Sequence, residues 1–315
     1  MSKSNINFVE DKYTPKKEKN LVFGGMVENL VSESMHELIV DCNTFMMMAS
    51  DKNMEHLKLH KNNACKNRFC PICAWRKAGK DAMKLSIMMK HLKLEQDKQL
   101  IFATFTTPNV KADELNDEIR HLNKSFQRLM QRKRVKTTIQ GYARKIEVTY
   151  NHERDDYNPH IHALFVVDKG YFNNPRQYIT RDRWLELWKS CTKDDRITQV
   201  HVQKVREDNN DRAYEVAKYS AKDEDYLINQ EVFEVFYEAL KGKRLLVFSG
   251  LFNEASHKYE DGELDHLKEE SAIEYVYALM YQWGNGKYAQ LEKRLLDNEE
   301  KALLNNEKID EMEVE

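Results

Sequence analysis

Two histidines one residue apart, His160 and His162 in NPHIHALFVV (Asn158–Val167), have the types and spacing to do chemistry. Imidazoles bind first-row divalent metals, and the Val, Ile and Phe around them predict a buried strand. Side chains alternate along a strand, so both imidazoles face one way and Ile161 the other. By itself such a pair serves hydrogen bonding as often as ligation. The preceding ARKIEVTY (Ala143–Tyr150) alternates charged and apolar residues, and the turn-rich NHERDDYNP (Asn151–Pro159) folds it back antiparallel. Glu147 then lies mid-strand beside the histidines. On their face it completes a His, His, Glu set with open positions for solvent or a phosphate oxygen; on the other it is one more solvent-facing charge.

A second group of reactive types comes about sixty residues later, in RAYEVAKYSAKDEDY (Arg212–Tyr226). The stretch has helical spacing and no Gly or Pro, and Glu215 and Tyr219 at i and i+4 share a helix face. Lys218 and Lys222 flank them. A tyrosine beside a metal-held phosphate is a nucleophile for transesterification, and a neighbouring carboxylate is a general base. Tyr214 and Tyr226 are spare nucleophiles, Tyr226 sharing the face of Tyr219 at i+7. Without the histidine strand, the pair would read as ordinary helix surface.

Thiols form the third group. Cys65, Cys70 and Cys73 sit in CKNRFCPIC, and a C-x-x-C turn stiffened by Pro71 presents two thiolates to one zinc ion. Cys42, returning through a hairpin such as Asp41–Leu59, is the favoured fourth ligand, with His60 as its rival. A redox pair would need a βαβ setting that the local sequence lacks. Cys191 stands apart as a buried small residue.

NPHIH followed by EVAKYSAK resembles the signature of HUH endonucleases as found in rolling-circle replication initiators of small Gram-positive plasmids. FATFTTPNV (Phe102–Val110), KIEVTYN, KGKRLLVFSGLFNEA (Lys241–Ala255) and the cysteine cluster fit the same family, so the resemblance runs from about Cys42 to about Ala255. It implies an α+β fold: an antiparallel HUH sheet with helices against one face and the metal strand central. It also implies Mn²⁺ or Mg²⁺ held by His160, His162 and Glu147, a Tyr219 5′-phosphotyrosine, and structural Zn²⁺. Many HUH relaxases carry two tyrosines at Y-x-x-x-Y spacing. Here Glu215 takes the first place, which suits the branch that uses one tyrosine and a glutamate that activates water at termination. The implied partners are plasmid origin DNA as a hairpin with a single-stranded nick site, a host helicase and the replication machinery, with a homodimer left open. An HUH relaxase or transposase, a hydrolytic metallonuclease with an incidental Tyr219, and a non-catalytic zinc-containing DNA-binding regulator are the rival readings.

The elements that must position these groups follow from the patterning. Met1–Asn29 is polar and lysine-rich, and is expected to be a flexible arm. A zinc-binding and basic-helix module is expected over 30–95, an HUH nicking and joining domain over 96–256, and a helical C-terminal region with an acidic tail over 257–315. Ala74–Leu94 has an apolar stripe (Trp75, Ala78, Ala82, Leu85, Met89), and Asp113–Arg134 another (Leu115, Ile119, Leu122, Phe126, Leu129). Net charge is −2, so the global balance announces no polyanion partner. Its distribution does: Arg120–Lys145 holds nine Lys/Arg and no Asp/Glu. Local patches steer a polyanion, and the candidate DNA contacts are Arg68, Arg76, Lys77, Lys80, Arg128, Arg132, Lys133 and Arg134. Phe102 and Tyr150 are candidates for stacking on bases, with core packing the alternative. No apolar run approaches the ~20 residues needed to cross a bilayer. Five cysteines, an odd number, argue for a reducing compartment, and a cytoplasmic protein is expected.

Overall fold

The computed structural model describes residues 3–206, 215–217, 222–306, 308–309 and 311. The chain divides into two compact units, Met1–Lys77 with Lys268–Asp310, and Ala78–Leu267 with Glu311–Glu315. The fold is α+β, and each unit is built on its own antiparallel sheet.

The larger unit holds five strands: β3 (Lys98–Thr106), β4 (Gly141–Asn151), β5 (Asp156–Asp168), β6 (His201–Lys204) and β7 (Leu246–Gly250), in the order β6-β3-β5-β4-β7. The histidine strand β5 is therefore central. Its 13 residues are nearly all buried, because a run such as ALFVV is apolar toward both sides of the sheet. Both faces accordingly carry helices, whereas one covered face had been expected. On one face Phe102, Leu164 and Val166 pack with Ala82, Leu85, Met88 and Leu92 of α3 (Pro71–Leu94), and with Val216, Ala217 and Phe252. The opposite face stacks Phe165 on Trp184 at 5.5 Å and sets Phe105 against Trp188 at 5.0 Å. These tryptophans belong to α6 (Arg181–Thr192), which lies beside α4 (Leu115–Gln131).

The expected stripe of α4 is buried. That helix stops short of its expected end, because Arg132 has an extended backbone (ψ 128°) and a new helix, α5 (Lys133–Thr138), starts after it. Gly141 and Gly250 pair where β4 meets β7. A Cβ on Gly250 would lie 2.2 Å from the Gln140 carbonyl oxygen, and its φ of +54° is itself a glycine conformation.

The smaller unit has strand order β2-β1-β8-β9, from β1 (Phe45–Asp51), β2 (Leu57–Asn62), β8 (Tyr275–Gly284) and β9 (Lys287–Leu295). The expected helical C-terminal region is thus largely a hairpin, followed by one helix, Asn298–Asn306. Gly284-Asn285-Gly286 is its turn: Asn285 and Gly286 have φ of 52° and 74°, the signature of the tight turn that joins antiparallel strands. Met47, Ala49, Tyr275, Ala278, Leu296 and Leu304 form a core under this sheet.

The expected flexible arm is instead a helix, α1 (Lys3–Val27). Val9, Tyr13, Phe23 and Val27 are buried, and so are Lys17 and Asn20. The Lys17 ammonium donates to Asn20 Oδ1 at 2.9 Å and to the carbonyls of Val40 and Cys42, each at 2.7 Å. Burial lowers its pKa from the ordinary lysine value. A lysine that reads as surface in the sequence is therefore a strut inside this unit.

Candidate active site and metal centres

The β4–β5 register decides where Glu147 goes. It pairs directly with His160, and Lys145 pairs with His162, so all four side chains occupy one face. The Glu147 Oε2 lies 2.9 Å from His162 Nε2 and 3.6 Å from His160 Nε2. All three residues are nine-tenths or more buried. His160 Nδ1 is 3.0 Å from the Asn158 carbonyl oxygen, to which it donates, and His162 Nδ1 is 3.1 Å from Thr104 Oγ1. Those bonds turn both Nε2 atoms toward the carboxylate, the arrangement by which outer partners orient metal-ligating histidines. An octahedral ion with ligands at about 2.1 Å has neighbouring donors about 3 Å apart. The donor spacing therefore fits a divalent ion.

The stretch that carries the nucleophile candidates is partly outside the described residues: Tyr219, Lys218 and Tyr214 all lie there. Residues 215–217 are helical. Val216 and Ala217 are buried in the core beside β5, and the buried Lys145 Nζ donates to the Ala217 carbonyl oxygen at 2.7 Å. A cation next to His162 thus ties the segment containing Glu215 to the face of His160, His162 and Glu147. The expected helix does not continue to Tyr226, because Lys222 is extended (ψ 142°) and a separate short helix, Asp223–Tyr226, follows. Tyr226 is only 2% exposed and packs on Phe233 and Phe236, so it is a core residue and not a spare nucleophile. Phe102 is likewise core, with its ring stacked on His162 at 5.6 Å.

One acidic neighbour had no signal beyond a run of acids. Burial pushes the Asp225 carboxyl above its ordinary value; Lys222 pulls it down and the charge of Glu147 adds to the rise. Its Oδ2 is buried and has no hydrogen-bond partner among the described residues.

The thiols of Cys42, Cys65, Cys70 and Cys73 converge, and His60 stays outside the group. Cys42 Sγ is 3.5 Å from Cys73 and 3.7 Å from Cys70, and Cys65 Sγ is 3.7 Å from Cys73. Four sulfurs at about 2.3 Å from a tetrahedral zinc are about 3.8 Å apart, so the donor set and its dimensions fit that ion. Asn20 Nδ2 donates to Cys70 Sγ at 3.4 Å, and the Cys65 amide donates to Cys42 Sγ at 3.4 Å. With the ammonium of Lys17 at the Cys42 carbonyl, these donors would offset the charge of thiolates holding such an ion. A third donor group, Asp51, Glu55 and His56, is a turn: Asp51 Oδ1 accepts from the amides of both others at 2.8 Å.

Of the candidate DNA contacts, several have work inside the fold. Arg128 Nη1 donates to the Cys191 carbonyl at 2.7 Å, and Arg132 Nη2 donates to Ser190 Oγ at 2.7 Å, so both close the end of α6. Arg76 Nη1 reaches Asn62 Oδ1 at 3.3 Å. Lys77, Lys80 and Lys133 are exposed. Burial lowers the Arg68 pKa. Among the described residues no helix is long and apolar enough to cross a membrane.

The family model described as "Replication protein" matches residues 56–289. A protein from Staphylococcus aureus named "Protein rep" is 53% identical over 220 residues, which is 70% of this chain and 96% of that protein. Proteins of the same name from a Bacillus species and from Streptococcus pneumoniae are 31% and 33% identical, over 74% and 68% of this chain and 84% and 71% of their own lengths. No solved structure matches.

Proposed function

The chain belongs to the replication-protein family, and from that premise we propose that this initiator acts at a plasmid origin by nicking and rejoining single-stranded DNA. The observation that carries the reading is the convergence of His160 Nε2, His162 Nε2 and Glu147 Oε2 on one buried sheet face. These three residues would hold Mn²⁺ or Mg²⁺, and such an ion polarises the scissile phosphate for in-line attack.

In the proposed reaction the Tyr219 hydroxyl oxygen attacks phosphorus and loses its proton. The bond to the 3′-oxygen breaks, and that oxygen takes up a proton to leave as a free 3′-OH that primes synthesis. The 5′-phosphate stays on tyrosine. Tyrosine ionises near 10, so the phenol needs cationic neighbours, and Lys218 and Lys222 flank it in sequence. Lys145, through Ala217, positions the segment that carries Glu215. Rejoining is the attack of a free 3′-OH on the phosphotyrosine phosphorus, which forms the phosphodiester, breaks the bond to tyrosine and returns a proton to the tyrosine oxygen. Where DNA is instead released by hydrolysis at termination, Glu215 takes a proton from water, the water oxygen bonds to phosphorus, the bond to tyrosine breaks and the tyrosine oxygen takes up a proton. Zinc on the four thiolates would be structural, cross-linking the ends of α2 (Glu33–Val40), β2 and the start of α3. A host helicase would open the duplex ahead.

The test is a labelled origin hairpin oligonucleotide incubated with Mn²⁺ and read on denaturing gels. Wild type should leave a covalent adduct, Tyr219→Phe should form none, and Glu215→Ala should accumulate it. Cleavage without any adduct in wild type would replace transesterification with simple hydrolysis, and no cleavage at all would leave a zinc-containing DNA-binding regulator.

A further inference from the structure

The break at Arg132 between α4 and α5 has a consequence on the face of the sheet that the metal cluster does not use. It turns Arg132, Lys133 and Arg134 into a cleft of about 540 Å³, completed by Arg176, Arg183, Glu186 and Ser190. Five cationic side chains thus meet a single carboxylate, and that carboxylate is engaged by Arg183 at 2.7 Å. Two of the guanidiniums are held in place by neutral groups. Arg132 donates to Ser190 Oγ, and Arg134 Nη2 donates to the carbonyls of Pro175 and Tyr178, each at 3.1 Å. Neutral acceptors fix their orientation and leave their charge uncompensated. Lys133 and Arg176 are exposed, and neither side chain has a partner among the described residues.

The plain alternative is that these arginines only fasten α5 and the 175–178 loop to α6. It accounts for Arg132 and Arg134. It gives no reason for Lys133 and Arg176 to be added where like charges repel.

We infer that this cleft is a second DNA contact, which binds the phosphodiester backbone of paired DNA on the sheet face opposite His160 and His162. The inference rests on the proposed action on origin DNA. Arginine forks and lysines pair with phosphate oxygens. None of the lining residues is aromatic, so the cleft has no platform on which unpaired bases would stack. Paired DNA, whose bases stack on each other, offers it the phosphates alone. The site would register the stem or flanking duplex and carry no base specificity.

The experiment measures binding of full-length protein to a duplex of origin sequence and to oligo(dT) over a range of salt concentrations, for wild type and Lys133→Gln/Arg176→Gln. The expected result is a duplex log K against log salt slope shallower by about 1.8, or about 0.9 for each lost phosphate contact. Duplex affinity at low salt should fall roughly 10-fold or more, and by more than oligo(dT) affinity falls. The charge-keeping pair Lys133→Arg/Arg176→Lys should restore it, and matched thermal midpoints would separate lost binding from lost folding. An unchanged duplex slope overturns the inference, as does an equal loss on both DNAs, which would make the cleft a single-strand track. Failure of the nicking reading would show separately, as wild-type protein that binds duplex with the expected slope but cuts no single strand.

Discussion

Each histidine of the β5 pair spends one nitrogen on holding the other in place, so the outer partners are as testable as the ligands. Thr104→Val removes the hydroxyl facing His162 Nδ1 and nearly conserves volume. It should weaken Mn²⁺ binding about 10–100-fold in calorimetry with no change in thermal midpoint; equal affinity would show that Thr104 does not orient the ring. A second residue-scale prediction concerns Glu300. The Arg294 guanidinium, at 2.7 Å from each of its oxygens, holds its carboxyl down at about 2, against an ordinary value near 4.5. A depressed carboxylate contributes stability that is complete above its unfolded-state pKa and is lost as pH falls through the folded one. Glu300→Gln should therefore destabilise at pH 7, by on the order of 1–3 kcal/mol, and the gap to wild type should close between about pH 4.5 and pH 2 in denaturant melts. A gap that persists at pH 2 would assign the loss to packing.

At the scale of elements, the segment bearing Glu215 is tied to β4 through one buried lysine. Lys145→Met keeps much of the side chain's bulk but removes the donor to the Ala217 carbonyl, leaving a buried acceptor unpaired at a cost of about 1–3 kcal/mol. Nicking should fall at least about 10-fold, the scale of a small misplacement of reacting groups, while Mn²⁺ affinity is kept. If metal binding fell in parallel, Lys145 would belong to the metal face itself. The four-cysteine cluster is the other element-level device, since its thiols come from the ends of α2, β2 and the start of α3. Native mass spectrometry should find one zinc per chain, lost in Cys70→Ser, and chelation should lower the thermal midpoint of the smaller unit, because binding energy at such a site is folding energy.

For the whole molecule, the chain leaves the smaller unit and returns to it. Residues 268–310 complete a unit begun by residues 1–77, and β8 lies inside its sheet, between β1 and β9. A chain ended at Leu267 should keep the larger unit resistant to limited proteolysis, because that unit's five strands all precede the cut. The 1–77 segment of the same chain should be digested, with β1 deprived of β8, one of its two partners. Protection of both segments would show that the first 77 residues fold without the returning hairpin.

What the residues alone determined is local and periodic. H-x-H on an apolar run, C-x-x-C and the stripes of α3 and α4 are patterns of types and spacings, and a strand or helix enforces them within a few residues. Gly284-Asn285-Gly286 carries a hairpin-turn signal of the same local kind, within a region whose patterning is otherwise expected to be helical. The tertiary structure decided what depends on partners distant in sequence. Strand register put Glu147 opposite His160 rather than on the far face, because a one-residue slip would have reversed it. Carbonyls of residues 40 and 42 made an inner strut of Lys17, and so ordered an arm that is polar by composition. The single extended residue Arg132 turned a basic helix surface into a cleft. None of these has a sequence period, since burial and pairing energies arise only when remote segments meet.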